Sequence, residues 1–61
     1  MVQVISTSVS VPEAEVGDVG TVVMVHTATS GFEVECVLEN GFTKWLGPFT
    51  REQIKWLQRP V

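Results

Sequence analysis

A chain of 61 residues, 44% hydrophobic and 18% charged, has room for one small globular domain, residues 1–61. Cys36 is the one cysteine, so no disulfide can form within the chain, and no apolar run approaches the roughly 18 residues of a membrane span. The net charge of −3 disfavours a protein that binds nucleic acid through its phosphates.

The small core of so short a chain calls for some further source of stability. A chain of this length buries only about 60% of the surface that its unfolded form exposes. A metal is not expected, because Cys36 and His26 are single copies of their types and stand at no ligand spacing. We expect no cofactor either. Oligomerisation remains, so we carry a homo-oligomer as a hypothesis.

Extended segments predominate along the chain. Valine is abundant, and its branched β-carbon favours extended backbone. Turn-forming residues separate the apolar segments, among them glycines at both ends of Gly17-Asp18-Val19-Gly20. The pattern predicts five strands over residues 2–11, with a bend near Ser8, and over residues 21–26, 32–39, 42–49 and 54–59.

The second segment, residues 21–26, is apolar on both of its alternating faces. Val23 and Val25 share one face, and Val22, Met24 and His26 share the other. Such a strand is expected to be buried on both sides or to lie at a contact between subunits.

The third segment has the clearest period of two, with apolar residues at 32, 34, 36 and 38 and glutamates at 33, 35 and 39. Asn40-Gly41 follows and predicts a type I′ hairpin, in which both central residues have positive φ. Thr50 and Gln53 are spaced as a capping box, which predicts one helical turn before the last strand. A short helix through Leu57 is the alternative to that strand.

These elements predict an all-β fold, a small five-strand barrel of the SH3-like kind with one helical turn before the last strand. The start of the chain shows no basic segment followed by an apolar stretch, so we expect no signal peptide. A single free thiol is consistent with a cytoplasmic location.

Residues 17–23, GDVGTVV, resemble a motif of DUF4926, a family of small bacterial domains of unknown function. Residues 31–36, 40–41, 53–54 and 59–61 resemble its later segments, so that the resemblance covers residues 15–61. Residues 55–58 separate two segments that the family joins. The resemblance implies an SH3-like fold and no established activity.

Two further resemblances suggest functions. The Gly-Asp-x-Gly-x-Val pattern is similar to the KOW motif of RNA-binding ribosomal and elongation proteins. Residues 31–35 are loosely similar to type II dihydrofolate reductase, a tetramer of SH3-like chains around one central pore. Its pore-lining Val-Gln-Ile-Tyr is not matched by Thr43-Lys44-Trp45-Leu46, so no catalytic residue is carried over.

The titratable residues favour a non-enzymatic role. His26 stands alone at a strand end, and Cys36 falls on the apolar face of its strand, where a buried core residue is expected. Glu33 and Glu35 lie about 7 Å apart on one strand face and are typical of a solvated sheet surface. No catalytic set is predicted.

A nucleic-acid site is the first alternative function. The basic residues that would form it are Lys44, Arg51, Lys55 and Arg59, close in sequence to Trp45 and Trp56. Six acidic residues and no lysine or arginine precede Lys44, whereas four basic residues and one acidic residue occupy 44–61. This asymmetry indicates either ordinary solvated faces or a bipolar surface that docks on another subunit.

The tryptophans favour an interaction module. Trp45 and Trp56 lie in the last third of the chain, and an outward tryptophan is a typical interface anchor. Packing of both in the core is the alternative. We expect a non-enzymatic domain that self-associates or binds a protein partner through Trp45, Phe49 and Trp56. A pore-type enzyme formed by oligomerisation is the last alternative.

Overall fold

The computed structural model describes residues 1–57. Its elements are five β-strands and one short 3₁₀ helix that precedes the last strand. The elements are β1 (Val2–Val4), β2 (Val19–His26), β3 (Gly31–Val37), β4 (Thr43–Thr50), the 3₁₀ helix Arg51–Gln53 and β5 (Ile54–Trp56).

All five strands form one antiparallel sheet in the order β4-β3-β2-β1-β5. The prediction of an all-β fold with five strands and one helical turn is therefore confirmed. The sheet is not closed: within residues 1–57, β4 and β5 are its two outer strands and do not pair. The alternative of a helix after residue 53 is wrong, because Ile54–Trp56 pairs with β1.

The prediction of one strand over residues 2–11 is wrong, because β1 ends at Val4. Past this point the chain turns twice, with hydrogen bonds from the Val11 amide to the Ser8 carbonyl (3.3 Å) and from the Ala14 amide to the Val11 carbonyl (3.1 Å). The turns bring Val11 and Ala14 into the core. The segment covers the sheet rather than extending it.

Gly47 in β4 allows this covering segment to approach closely. A Cβ atom at Gly47 would stand 2.5 Å from Cγ2 of Val11. No side chain fits in that space without moving Val11, so glycine is required here for packing rather than for its φ.

The hairpin between β3 and β4 differs from the predicted type I′ turn. The Gly41 amide donates to the Leu38 carbonyl (2.9 Å), and the Leu38 amide donates to the Phe42 carbonyl (2.8 Å). Gly41 has a φ of +91°, whereas Asn40 is not among the residues with positive φ. This pattern is a three-residue loop, a type I turn followed by a glycine in the left-handed region. Asn40 contributes its side chain, whose Oδ1 accepts from the Phe42 amide (3.0 Å).

Two β-bulges bend the sheet. Val22 lies opposite Val34 and Met24 opposite Glu33, so Val23 has no partner of its own on β3. In β4, Lys44 is the additional residue between the pairs Cys36–Trp45 and Val37–Thr43. Bulges increase the local twist of a strand, which favours the curling of this sheet around its core.

The core lies on the concave face of the sheet. Its buried hydrophobic residues come from β1, β3, β4, β5 and the covering segment: Val2, Val4, Val11, Ala14, Val34, Cys36, Trp45, Phe49 and Ile54. From β2, only Gly20 is buried, while Val22 is half-buried. The predicted capping interaction is present, since Oε1 of Gln53 accepts from the Thr50 amide (2.8 Å).

Candidate interaction surface

Trp45 and Phe49, two of the three residues expected at an interface, lie in the core. They are 4% and 2% exposed, and their ring centroids are 5.1 Å apart. Both project from β4 onto the concave face, opposite Cys36 and Phe32 of β3. Their side chains therefore have almost no surface to present to a partner.

Asp18 holds Trp45 in place. Oδ2 of Asp18 accepts hydrogen bonds from Nε1 of Trp45 (2.8 Å) and from the Glu15 amide (3.0 Å), and Oδ1 pairs with Nζ of Lys44 (3.0 Å). Desolvation by itself would raise the pKa of Asp18. The hydrogen bonds from the Glu15 amide, Trp45 and Lys44 outweigh this effect and hold the pKa of Asp18 below its usual value. The aspartate of the GDVG motif thus joins the turn before β2 to the bulge of β4.

Trp56, the third expected interface residue, is exposed. Its side chain is 56% accessible and meets Phe32 edge-to-face, with 5.6 Å between the ring centroids. Val25 lies directly opposite Phe32 on β2 and is 57% exposed. We call Val25, Phe32 and Trp56 the aromatic patch.

The expectation that β2 is buried on both faces is wrong for this chain by itself. Val23, Met24 and Val25 are 52%, 58% and 57% exposed. The reason is that β1 pairs with β2 only at Val19 and Gly20, so among residues 1–57 the second half of β2 has a neighbouring strand on one side alone. Three consecutive exposed apolar residues in a strand are unusual on a surface that serves no contact.

The convex face of the sheet is mixed rather than apolar. Glu35 lies between Thr21 and Leu46 in one row across β2, β3 and β4, and Glu33 lies between Met24 and Pro48 in the next. Glu35 accepts a hydrogen bond from the Thr43 hydroxyl (3.1 Å), and Glu33 bonds Nε2 of His26 (2.9 Å). The two glutamates therefore lie on the outer face of β3, as the sequence predicts, but both are half-buried and hydrogen-bonded rather than fully solvated.

The basic residues of the predicted nucleic-acid site are not equivalent. Lys44 contacts both Glu15 (2.7 Å) and Asp18 (3.0 Å), and these hydrogen bonds raise the pKa of its ammonium group above the usual value. Arg51 and Lys55 are exposed. Arg59 lies outside the described residues. Lys44 is thus committed to acidic partners of its own chain.

The side chains that could act as a nucleophile or bind a metal are dispersed over the described residues. Cys36 is buried, and desolvation, reinforced by the charge of Asp18, raises the pKa of its thiol. Among residues 1–57, no group of three or more His, Cys, Asp or Glu side chains could hold a metal ion. The described part of the chain has no helix that is long and apolar enough to cross a membrane.

His26 borders two shallow pockets. One, of about 320 Å³, is lined by apolar residues such as Phe49 and by polar residues such as Ser8 and Thr50. The other, of about 270 Å³, is bounded by Val25, Phe32 and Arg51 and adjoins the aromatic patch. Neither pocket brings an acid, a base and a nucleophile together.

The sequence indicates Trp56 as a surface residue in one of two alternatives but does not indicate its neighbours. Phe32 belongs to the regular alternation of β3 and is half-buried against the core. The uncharged run Val22-Val23-Met24-Val25, apolar on both of its faces, is the sequence signal for the exposed part of β2.

Comparison with known proteins gives one match. A family model described as "Domain of unknown function (DUF4926)" matches residues 1–56, so the chain belongs to this family. No curated protein and no solved structure matches the chain.

Proposed function

We propose that this DUF4926 domain is a non-enzymatic interaction module that self-associates through the aromatic patch. The observation that carries the proposal is the position of Trp56, which is 56% exposed yet held against Phe32. Tryptophans that are exposed in a free protein and fixed by a neighbour are typical anchors of protein interfaces.

The edge-to-face contact lowers the entropic cost of using Trp56 for binding. A side chain that already occupies one orientation loses little rotamer freedom when a partner covers it. Val25 extends the patch beside Phe32, and Arg51 stands across the adjoining pocket. Aromatic side chains with a nearby arginine are the residues that protein interfaces favour over lysine or glutamate.

The distribution of apolar residues supports association. Within residues 1–57, nine hydrophobic residues are buried and thirteen large ones are exposed. A monomer with this ratio has a small core and an unusually apolar surface. A partner that covers the aromatic patch would add to the buried apolar area of this small core.

Tryptophan fluorescence tests the proposal directly. Trp45 is 4% exposed in the single chain, so a change on association reports on Trp56. We expect the emission maximum of the full chain to shift to shorter wavelength as protein concentration rises. Trp56→Ser should abolish the shift and weaken association, whereas Phe42→Ser should not, although Phe42 is 71% exposed in the hairpin loop. Loss of association in both variants to the same extent would contradict a role for the patch.

The alternative functions make different demands. Binding of nucleic acid would depend on Arg51 and Lys55 among the described residues, and its affinity would fall steeply as salt rises. No binding at low salt would exclude it. A pore-type enzyme would require a symmetric tetramer with a central cavity, so a dimer would count against that alternative.

A further inference from the structure

Strand β2 extends well beyond its neighbour β1. Val2 of β1 lies opposite Gly20 of β2 on one side and opposite Trp56 of β5 on the other. Past this point, the Met1 carbonyl accepts from the Leu57 amide (3.0 Å), so Met1 continues the ladder with β5. Residues 21–26 of β2 pair with β3 alone within the described chain. About 20 Å of the β2 edge therefore has no neighbouring strand among residues 1–57.

The other two edges of the sheet carry features that discourage pairing. The outer edge of β4 has a bulge at Lys44 and a proline at residue 48, which has no amide hydrogen to donate. The edge of β5 is three residues long and includes Lys55. Short length, lysine, proline and bulges are the means by which natural sheets avoid edge-to-edge association.

The open half of β2 has only the bulge at Val23, and the backbone from Met24 to His26 is uninterrupted beyond it. Its residues are Thr-Val-Val-Met-Val-His, without lysine, proline or any carboxylate. Val23, Met24 and Val25 are each more than half exposed. An edge with these properties is a template for another strand.

The composition of β2 favours a second copy of the same strand as the occupant. A two-fold antiparallel pair repeats every charge of the strand on its partner, and like charges come close together where a charged residue lies near the axis. Of the two other long strands, β3 carries Glu33 and Glu35 and β4 carries Lys44. β2 has no such charge and can pair with itself without repulsion, even though the chain carries −3 overall.

We infer that two copies of this chain associate by antiparallel pairing of their β2 strands over Val23–Val25, along the part of β2 that extends past β1. The inference rests on the proposed function and names the partner and the geometry of its contact. The added strand extends the sheet, covers the exposed valines and lies beside Trp56. Strand pairing and burial of the aromatic patch are then parts of one interface.

Nuclear magnetic resonance on a mixture of isotope-labelled and unlabelled full-length chain tests the geometry. We expect intermolecular contacts between backbone protons of Met24 and Val25 of different copies. We also expect amide exchange to slow with rising concentration in residues 22–26. A dimer whose intermolecular contacts arise from the convex face or the β4 edge would overturn the strand pairing while leaving self-association intact.

Val25→Lys places a charge on the open edge, and Leu46→Lys is the matched control. The two side chains are exposed to similar extents, 57% and 54%, and Leu46 lies on the convex face of β4. We expect Val25→Lys to raise the dissociation constant of the dimer by about tenfold or more, and Leu46→Lys to change it by less than about threefold. Exposure of both residues allows either variant to fold, which the dispersion of its amide spectrum checks.

The remaining outcomes distinguish failure of the β2 pairing from failure of self-association as a whole. Equal weakening by both lysine variants would overturn β2 pairing and indicate a general charge effect. A chain that stays monomeric at every concentration would overturn both the pairing and the proposed function. Contact of residues 58–61 with Val23–Val25 inside a monomer would also overturn the pairing, since the open edge would then be filled by the chain itself.

Discussion

Asp18 accepts three hydrogen bonds through its carboxylate. Its carboxylate accepts from the Trp45 indole, the Glu15 amide and the Lys44 ammonium group. Asp18→Ala leaves the buried indole N–H without a partner, so we expect the free energy of unfolding to fall by about 1–3 kcal/mol. Urea denaturation with an unchanged m-value measures the loss. Glu15→Gln is the control, because the side chain of Glu15 is 75% exposed, and it should cost far less.

The lowered pKa of Asp18 predicts how the stability of the fold depends on pH. The pKa of Asp18 is lowered in the folded state, so at acidic pH the unfolded chain binds a proton more readily. The contribution of Asp18 is complete above its unfolded pKa of about 3.9 and is lost as the pH falls through the lower folded pKa. Unfolding followed from pH 7 downwards should show this decline, and Asp18→Ala should have a shallower one. An identical slope in both proteins would contradict the assignment.

The close contact between Gly47 and Val11 predicts that substitutions at these two positions have non-additive effects on stability. Gly47→Ala introduces a Cβ atom 2.5 Å from Cγ2 of Val11, and overpacking of this kind costs about 1–3 kcal/mol. Val11→Ala alone leaves a cavity, but in the double variant it makes room for the new methyl group. We expect the double variant to lose less stability than the two single losses together. Additive losses would mean that the two sites do not share this contact.

At the scale of the element, the β3–β4 hairpin was predicted in position but not in type. Asn40-Gly41 is compatible with a type I′ turn and with a three-residue loop, and the choice depends on where the two strands come into register. The bulge at Lys44 sets that register. Nothing in the local dipeptide encodes it, which is why the sequence could not distinguish the two turns.

The two loop residues should therefore respond differently to substitution. Gly41 has a φ of +91°, so Gly41→Ala should destabilise the domain by about 1–3 kcal/mol. Asn40→Gly should bring no gain, since Asn40 is not in the left-handed region and would lose its side-chain hydrogen bond to the Phe42 amide. Thermal unfolding of both variants checks the pair. A stabilising Asn40→Gly would favour the type I′ turn instead.

The strands themselves were predictable to different degrees. The alternation of Phe32, Val34 and Cys36 with glutamates determines the inner and outer faces of β3, and the structure has them so. In β2 the bulge at Val23 interrupts the period, so alternation could not assign its faces. The first strand was predicted too long because Val9 and Val11 look like strand residues. Val11 is buried by a turn, and Val9 is 99% exposed.

At the scale of the whole molecule, the sequence predicts five strands and one helical turn but not how far the sheet closes. Closure depends on the length of β1 and on contacts between residues distant in sequence, such as the pairing of Val4 with Ile54. The candidate surface was likewise predictable only in part. The sequence offers an exposed Trp56 as one of two alternatives, whereas the exposure of residues 21–26 of β2 depends on the register in which β1 pairs with Val19 and Gly20.

Val25 belongs both to the exposed edge of β2 and to the aromatic patch, where it lies opposite Phe32. Trp56 meets Phe32 edge-to-face. A partner strand beside residues 23–25 would therefore lie close to the whole patch, and self-association would cover the edge and the patch together.

Sedimentation equilibrium of the full chain over a wide range of concentration tests self-association most directly. The chain mass is 6.7 kDa, and we predict a reversible rise to twice this value that Trp56→Ser weakens and Phe42→Ser leaves in place. A single species of 6.7 kDa at every concentration would contradict it.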